Sequence, residues 1–175
     1  LAEQKGLDIL SEACDAFLSQ GAQFVLLGDG DAVYKTTFRN VANRHPGKAA
    51  VYLDFDAKKA HEIYAGADFF LMPSYFEPCG LGQMISMRYG TLPIVRRTGG
   101  LADTVTDVLD DPLGGNGLVF KEHSPSKFLK TIERAGQLFQ RKKRLALFQK
   151  NAMKADFSWK KSASEYQELY KEVIG

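Results

Sequence analysis

Glu77 is followed directly by Pro78 in the run Pro73-Ser74-Tyr75-Phe76-Glu77-Pro78-Cys79-Gly80-Leu81-Gly82. A residue before proline is held extended rather than helical, so this carboxylate is presented from a stiff loop. The loop follows the short apolar run Phe69–Met72, which reads as a buried parallel strand. It therefore leaves a strand at its carboxyl end, where open α/β sheets bind ligands. Gly80-Leu81-Gly82 then opens a helix expected to reach about Tyr89, whose first amides lack intrahelical partners. Backbone free of side-chain bulk at a helix start suits a phosphate. After a strand over 92–95, Thr98-Gly99-Gly100 forms a second glycine turn before another helix. One carboxylate between two glycine-rich turns implies a site for a phosphorylated sugar. For each part there is a plainer alternative. Glu77 would be a surface charge, and Thr98-Gly99-Gly100 a tight strand-to-helix connection.

Strands and helices alternate around this stretch. Leu7, Leu10, Cys14, Phe17 and Leu18 share one helical face, and Gly21 ends that helix. Residues 1–5 read as loop. Phe24–Leu27 reads as a strand, followed by Gly28-Asp29-Gly30-Asp31. That turn lacks the third glycine of a dinucleotide fingerprint, since Val33 stands there. It reads as a strand-to-helix turn capped by Asp31. A helix over 32–43, a strand over 49–53, a short helix over 58–64 and a strand over Leu118–Phe120 continue the pattern. Ser124-Pro125 opens a helix in the preferred order of cap and proline. Helices over Lys142–Lys154 and 158–174 close the chain. The last carries Tyr166, Leu169, Tyr170 and Val173 on one face. The alternation predicts a parallel sheet with right-handed crossovers.

Composition narrows the function classes. A chain of 175 residues with 45% apolar and 25% charged residues is long enough for one well-buried α/β domain. No stretch is long and apolar enough to span a membrane. Residues 121–161 hold twelve Lys or Arg against Glu122, Glu133 and Asp156. Aromatics are not interleaved among them, so they read as solvated helix faces rather than a nucleic-acid or membrane surface. Cys14 falls on the apolar helix face and reads as a core residue. Cys79 reads as a loop residue rather than a nucleophile, with no His near it in sequence. His45, His61 and His123 show no metal-ligand spacing.

The residues 73–105 resemble the signature of the bacterial glycogen synthases and plant starch synthases. These are the ADP-glucose-using glucan synthases of the two-domain GT-B glycosyltransferase type. The matching residues are Pro73-Ser74, Phe76-Glu77-Pro78-Cys79-Gly80-Leu81, Gln83, Arg88-Tyr89-Gly90-Thr91-Leu92-Pro93 and Val95 through Val105. Gln4-Lys5-Gly6-Leu7-Asp8 resembles the family's loop-to-helix entry, and Phe157-Ser158-Trp159 resembles its tail. The resemblance implies a Rossmann-like parallel sheet flanked by helices, the C-terminal nucleotide-binding half of a GT-B enzyme, as one domain over 1–175. It implies retaining transfer of glucose from ADP-glucose, the donor, to the non-reducing end of an α-1,4-glucan, the acceptor. No cofactor or obligate metal is implied, and the location is cytoplasmic, or a plastid stroma for a plant protein. Another retaining GT-B enzyme with a different nucleotide sugar is the alternative. A nucleotide-binding oxidoreductase and a non-catalytic glucan-binding module fit the residues less well.

The same resemblance assigns roles. Lys5 and Glu77 are the catalytic pair, Lys5 clamping the leaving diphosphate and Glu77 supporting charge at the reacting sugar carbon. Cys79, Gly80, Leu81 and Gly82 supply sugar-hydroxyl and phosphate contacts, with Thr98, Gly99 and Gly100 as a second anion-facing turn. Phe55 is either an adenine-stacking ring or a core residue. The chain departs from the pattern twice. Ile85 stands where the wider GT-B group often has a second Glu, and Gly82 where many relatives carry Thr. The family's first strand and the arginine before Lys5 are expected to be missing. In the order 3-2-1-4-5-6 that strand would lie between Phe24–Leu27 and Phe69–Met72. The N-terminal catalytic half is expected as a missing partner, and the isolated chain is expected not to synthesise glucan.

Overall fold

The computed structural model describes residues 1–174. A short 3-10 turn over Glu3–Lys5 leads into α1 (Leu7–Ser19), β1 (Phe24–Leu27), α2 (Ala32–Arg44), β2 (Ala49–Tyr52), α3 (Ala57–Gly66) and β3 (Phe69–Met72). Next come α4 (Gly82–Arg88), β4 (Leu92–Arg96), α5 (Gly99–Thr104), β5 (Leu118–Phe120), α6 (Pro125–Gln140), α7 (Lys142–Lys154) and α8 (Trp159–Ile174). All strand pairs are parallel. They form a two-stranded sheet, β1-β2, and a three-stranded sheet, β3-β4-β5.

The two sheets are not hydrogen-bonded to each other among the described residues, so β1 and β3 each keep an unpaired edge. Residues 1–6 bridge the carboxyl ends of β1 and β3. The Leu1 amino group donates to the Asp29 carbonyl and the Leu1 carbonyl accepts from the Asp31 amide. On the other side, the Gln4 carbonyl accepts from the Tyr75 amide at 2.9 Å. The expected loop over 1–5 is thus a tightened turn held from both sides.

The apolar face read from α1 is the core: Leu7, Leu10, Cys14, Phe17 and Leu18 are all buried. Phe17 meets Phe24 edge-on at 5.9 Å between ring centroids, and Phe120 meets Phe128 at 5.3 Å. Leu92, Ile94 and Val95 of β4 are shut away on both faces, as a strand paired on both sides requires. Burial pushes the Cys14 thiol up to about 12, while Cys79 is exposed. A thiol-specific chromophoric reagent is therefore expected to titrate one thiol per native chain and two in denaturant. Two reacting thiols in the native state would place α1 elsewhere.

One local expectation is corrected. Asp31 occupies the N-cap position of α2 but makes no side-chain cap. The Asp29 carboxylate closes that turn instead, accepting from the Gly30 amide at 2.8 Å and from Lys35 Nζ at 2.7 Å. Helix α8 is amphipathic as read, yet none of its described residues is buried. Among the described residues no helix is long and apolar enough to cross a membrane.

Candidate functional site

The loop after β3 is built by contacts to its backbone. Arg96, the last residue of β4, donates from Nε to the Ser74 carbonyl at 2.8 Å and from Nη2 to the Tyr75 carbonyl. Gln4 donates from Nε2 to the Phe76 carbonyl at 2.9 Å. The Gly100 amide donates to the Glu77 and Pro78 carbonyls at 3.1 and 3.2 Å. Four consecutive peptide carbonyls, 74 to 77, are thereby tied to three other parts of the chain. A loop so fixed can hold a side chain in one geometry.

Glu77 is that side chain, and it is only 5% exposed, which rules out the surface-charge alternative. Lys5 Nζ lies 2.6 Å from Glu77 Oε2, and Ser74 Oγ donates to the same oxygen at 3.2 Å. Both hydrogen bonds go to Oε2, and Oε1 receives none from the described residues. The two ionic groups are 72 residues apart in sequence. Gly6 makes their meeting possible. It has φ 67° and lies so close to Pro73 that a Cβ there would stand 2.0 Å from the Pro73 carbonyl oxygen. The ammonium of Lys5 stays half exposed, with 49% of its side chain accessible, so a ligand can reach it.

Beyond Glu77 the chain turns at Gly80, with φ 75°. Cys79 and Leu81 are exposed, and the amides of Cys79, Gly80 and Leu81 have no partner among the described residues. Helix α4 starts only at Gly82 and has seven residues. The loop, rather than a helix start, presents these amides. At Gly82 a Cβ would lie 2.9 Å from the Phe70 ring, so Phe70 occupies the space that a larger residue would need.

The second glycine turn has a different geometry from an open anion cradle. A Cβ at Gly99 would stand 2.1 Å from the Glu77 carbonyl oxygen, and one at Gly100 would stand 2.2 Å from that of Cys79. The Gly100 amide is already used by the Glu77 loop. Thr98 is the N-cap of α5 without a side-chain cap. The turn acts as the floor on which the Glu77 loop rests, which fits the tight-connection alternative. Phe55, in the loop after β2, is 93% exposed, so the core alternative for it is excluded.

The histidines bond to neighbours rather than to one another: His45 to Asp15 at 2.7 Å, His61 to Tyr89 at 2.9 Å and His123 to Asp8 at 3.1 Å. Two surface clefts lie apart from Glu77 and Lys5. One is lined by Arg97, Asp107, Asp110, Lys121 and Arg134, the other by Met84, Ile85, Arg88 and Phe157. Arg96 and Gln83 carried no assigned role in the sequence, because they act on backbone carbonyls, which no side-chain pattern marks.

Parallel strands flanked by helices are the architecture of the C-terminal half of a GT-B glycosyltransferase. A family model described as "Glycosyl transferases group 1" matches residues 1–137, and the chain belongs to that family. The glycogen synthase of Kosmotoga olearia is 47% identical over 174 residues, 99% of this chain and 37% of its own length. The catalytic domain of starch synthase IV from Arabidopsis thaliana, solved with ADP and acarbose, superposes with a TM-score of 0.86 at 38% identity. That match covers 98% of this chain and 36% of the other. The C-terminal domain of a glycosyl transferase group 1 family protein from Francisella tularensis shares the fold at 17% identity and TM-score 0.69, covering 87% of this chain and 78% of the other. The chain thus spans little more than a third of the glycogen synthase and starch synthase chains it matches.

Proposed function

We propose that the chain is the donor-binding part of a retaining glucosyltransferase of the glycogen and starch synthase type. It holds ADP-glucose while glucose passes to the non-reducing end of an α-1,4-glucan. The observation that carries this reading is the contact of Lys5 with buried Glu77 at the sheet's carboxyl end. Glycosyl transfer passes through an oxocarbenium-like state. A carboxylate fixed beside that carbon stabilises the developing positive charge. In this reading Oε1 of Glu77, which takes no hydrogen bond from the described residues, accepts from a donor-sugar hydroxyl. Lys5 turns its ammonium to the diphosphate, whose negative charge grows as it leaves.

The remaining site residues follow in the same reading. The amides of Cys79, Gly80 and Leu81 donate to the sugar and phosphate oxygens, and exposed Phe55 stacks on the adenine. Gly82 contributes its backbone alone. Thr98, Gly99 and Gly100 support the loop from below. The acceptor glucan and the exclusion of water fall to a further part of the enzyme, since the matched relatives are far longer than this chain. A cytoplasmic location suits the two free thiols.

Calorimetric titration tests the reading. ADP is expected to bind the 175-residue chain with measurable heat, and maltohexaose is expected not to displace it. Affinity for maltohexaose that ADP does not affect, with no ADP binding, would favour a glucan-binding module instead.

A further inference from the structure

We propose that Gln83 is the positioning residue that aims the amides of Gly80 and Leu81 at the ligand. The inference deepens the donor-binding reading and rests on it. Gln83 is fully buried. Its Nε2 donates to the Cys79 carbonyl at 3.1 Å, the Gly80 carbonyl at 2.9 Å and Thr104 Oγ1 at 3.2 Å. Thr104 Oγ1 itself donates to the Gly100 carbonyl at 2.6 Å. One carboxamide therefore draws two successive loop carbonyls inward and ties them to α5, the floor of the loop.

The direction of the amides follows from peptide geometry. Every peptide bond of the described chain is trans, and in a trans peptide the C=O and N–H point in opposite directions. With the carbonyls of Cys79 and Gly80 turned toward Gln83, the N–H groups of Gly80 and Leu81 point away from it. Those amides have no partner among the described residues. Gly80 lies in the left-handed region and Leu81 near the right-handed helical one. Successive amides in such a pair converge into a concavity that accepts anionic oxygens.

The carboxamide can serve in one orientation only. Its Nε2 faces two carbonyl oxygens, which cannot donate, so exchange of nitrogen and oxygen would set oxygen against oxygen. Its Oε1 is buried without a donor among the described residues and lies where a Cβ of residue 80 would come within 2.5 Å. Gly80 is thus required by its φ and by Gln83 together. Among the described residues Gln83 makes no hydrogen bond to Glu77 or Lys5, so it acts on the ligand through the loop backbone.

The test is an ADP titration of the 15N-labelled chain, followed at the Gly80 and Leu81 amides, with dissociation constants for wild type, Gln83→Met and Gln83→Glu. Both amide protons are expected to move downfield as wild type saturates. Folded Gln83→Met is expected to bind ADP about 10-fold or more weakly, since the amides lose their aim. Gln83→Glu is expected to be weak at pH 8 and to recover toward wild type, at each matched pH, as acid protonates the buried carboxyl. The protonated acid can donate to one of the two carbonyls, whereas the carboxylate repels both. A merely structural Gln83 would lower the melting temperature of the variants and leave the affinity of the folded fraction and its pH profile unchanged. Silent Gly80 and Leu81 amides in a wild type that binds ADP would overturn this inference and leave the donor reading intact. A wild type that does not bind ADP would overturn both.

Discussion

Replacing Glu77 by Gln, in a full-length protein that contains this chain, is expected to lower glucosyl transfer about 100-fold or more, the usual effect of removing one transition-state electrostatic contact. The side chain keeps its volume in a loop fixed by Arg96, Gln4 and Gly100, so the melting temperature should shift little. A neutral group in a nearly buried position avoids the desolvation that the carboxylate bears. What is lost is negative charge at the reacting carbon. Ser74 Oγ can still donate to the carboxamide oxygen, which keeps the side chain in place. Steady-state kinetics with ADP-glucose and glycogen give the readout. Turnover near that of the wild type would return Glu77 to a purely structural role.

Gly6→Ala is the second change with a large expected effect, on stability and site together. Gly6 has φ 67° and no room for a Cβ, which would stand 2.0 Å from the Pro73 carbonyl oxygen. An alanine meets both the left-handed backbone cost and a backbone clash, together at least about 2 kcal/mol. The Pro73 carbonyl belongs to the loop that leaves β3, so it cannot move without moving Ser74 and Glu77. Relief must come from shifting residues 1–5, which carries Lys5 away from Glu77. The variant is expected to melt several degrees lower and to lose ADP affinity even where it is fully folded. An unchanged melt, with Lys5 still paired to Glu77, would show that the close approach of Gly6 to Pro73 is not required.

Much of this site was legible in the sequence, and the reason differs from residue to residue. Phe69–Met72 and Leu118–Phe120 stand out as uninterrupted apolar runs, and both are strands with those bounds. Pro78 and the glycines after it mark a stiff loop, which is how Glu77 came forward. Lys5 has no local signal of its own. It was assigned through the family resemblance, and its partner lies 72 residues away. Gln83 and Arg96 match the family signature but carry no sequence signal of their role, because they act on backbone carbonyls, which every residue has. Gly99 and Gly100 read equally well as an anion turn or a tight connection. Only the close carbonyls of Glu77 and Cys79 separate the two. The exposed apolar face of α8 shows the limit of periodicity, which reports that a face exists and not what covers it.

The central claim is that Lys5 and Glu77 mark a nucleotide-diphosphate site on this chain, and Lys5→Ala tests it most directly. ADP affinity is measured by calorimetry for both proteins, with the thermal melt as control. A lost charge-assisted contact to phosphate is worth about 1.5–3 kcal/mol, so the variant is expected to bind ADP roughly 10- to 100-fold more weakly. Lys5 is half exposed, so the melt should change much less than the affinity. Equal ADP affinity in the two proteins would contradict the account, leaving Lys5 as a counter-ion to Glu77 with no part in holding the diphosphate.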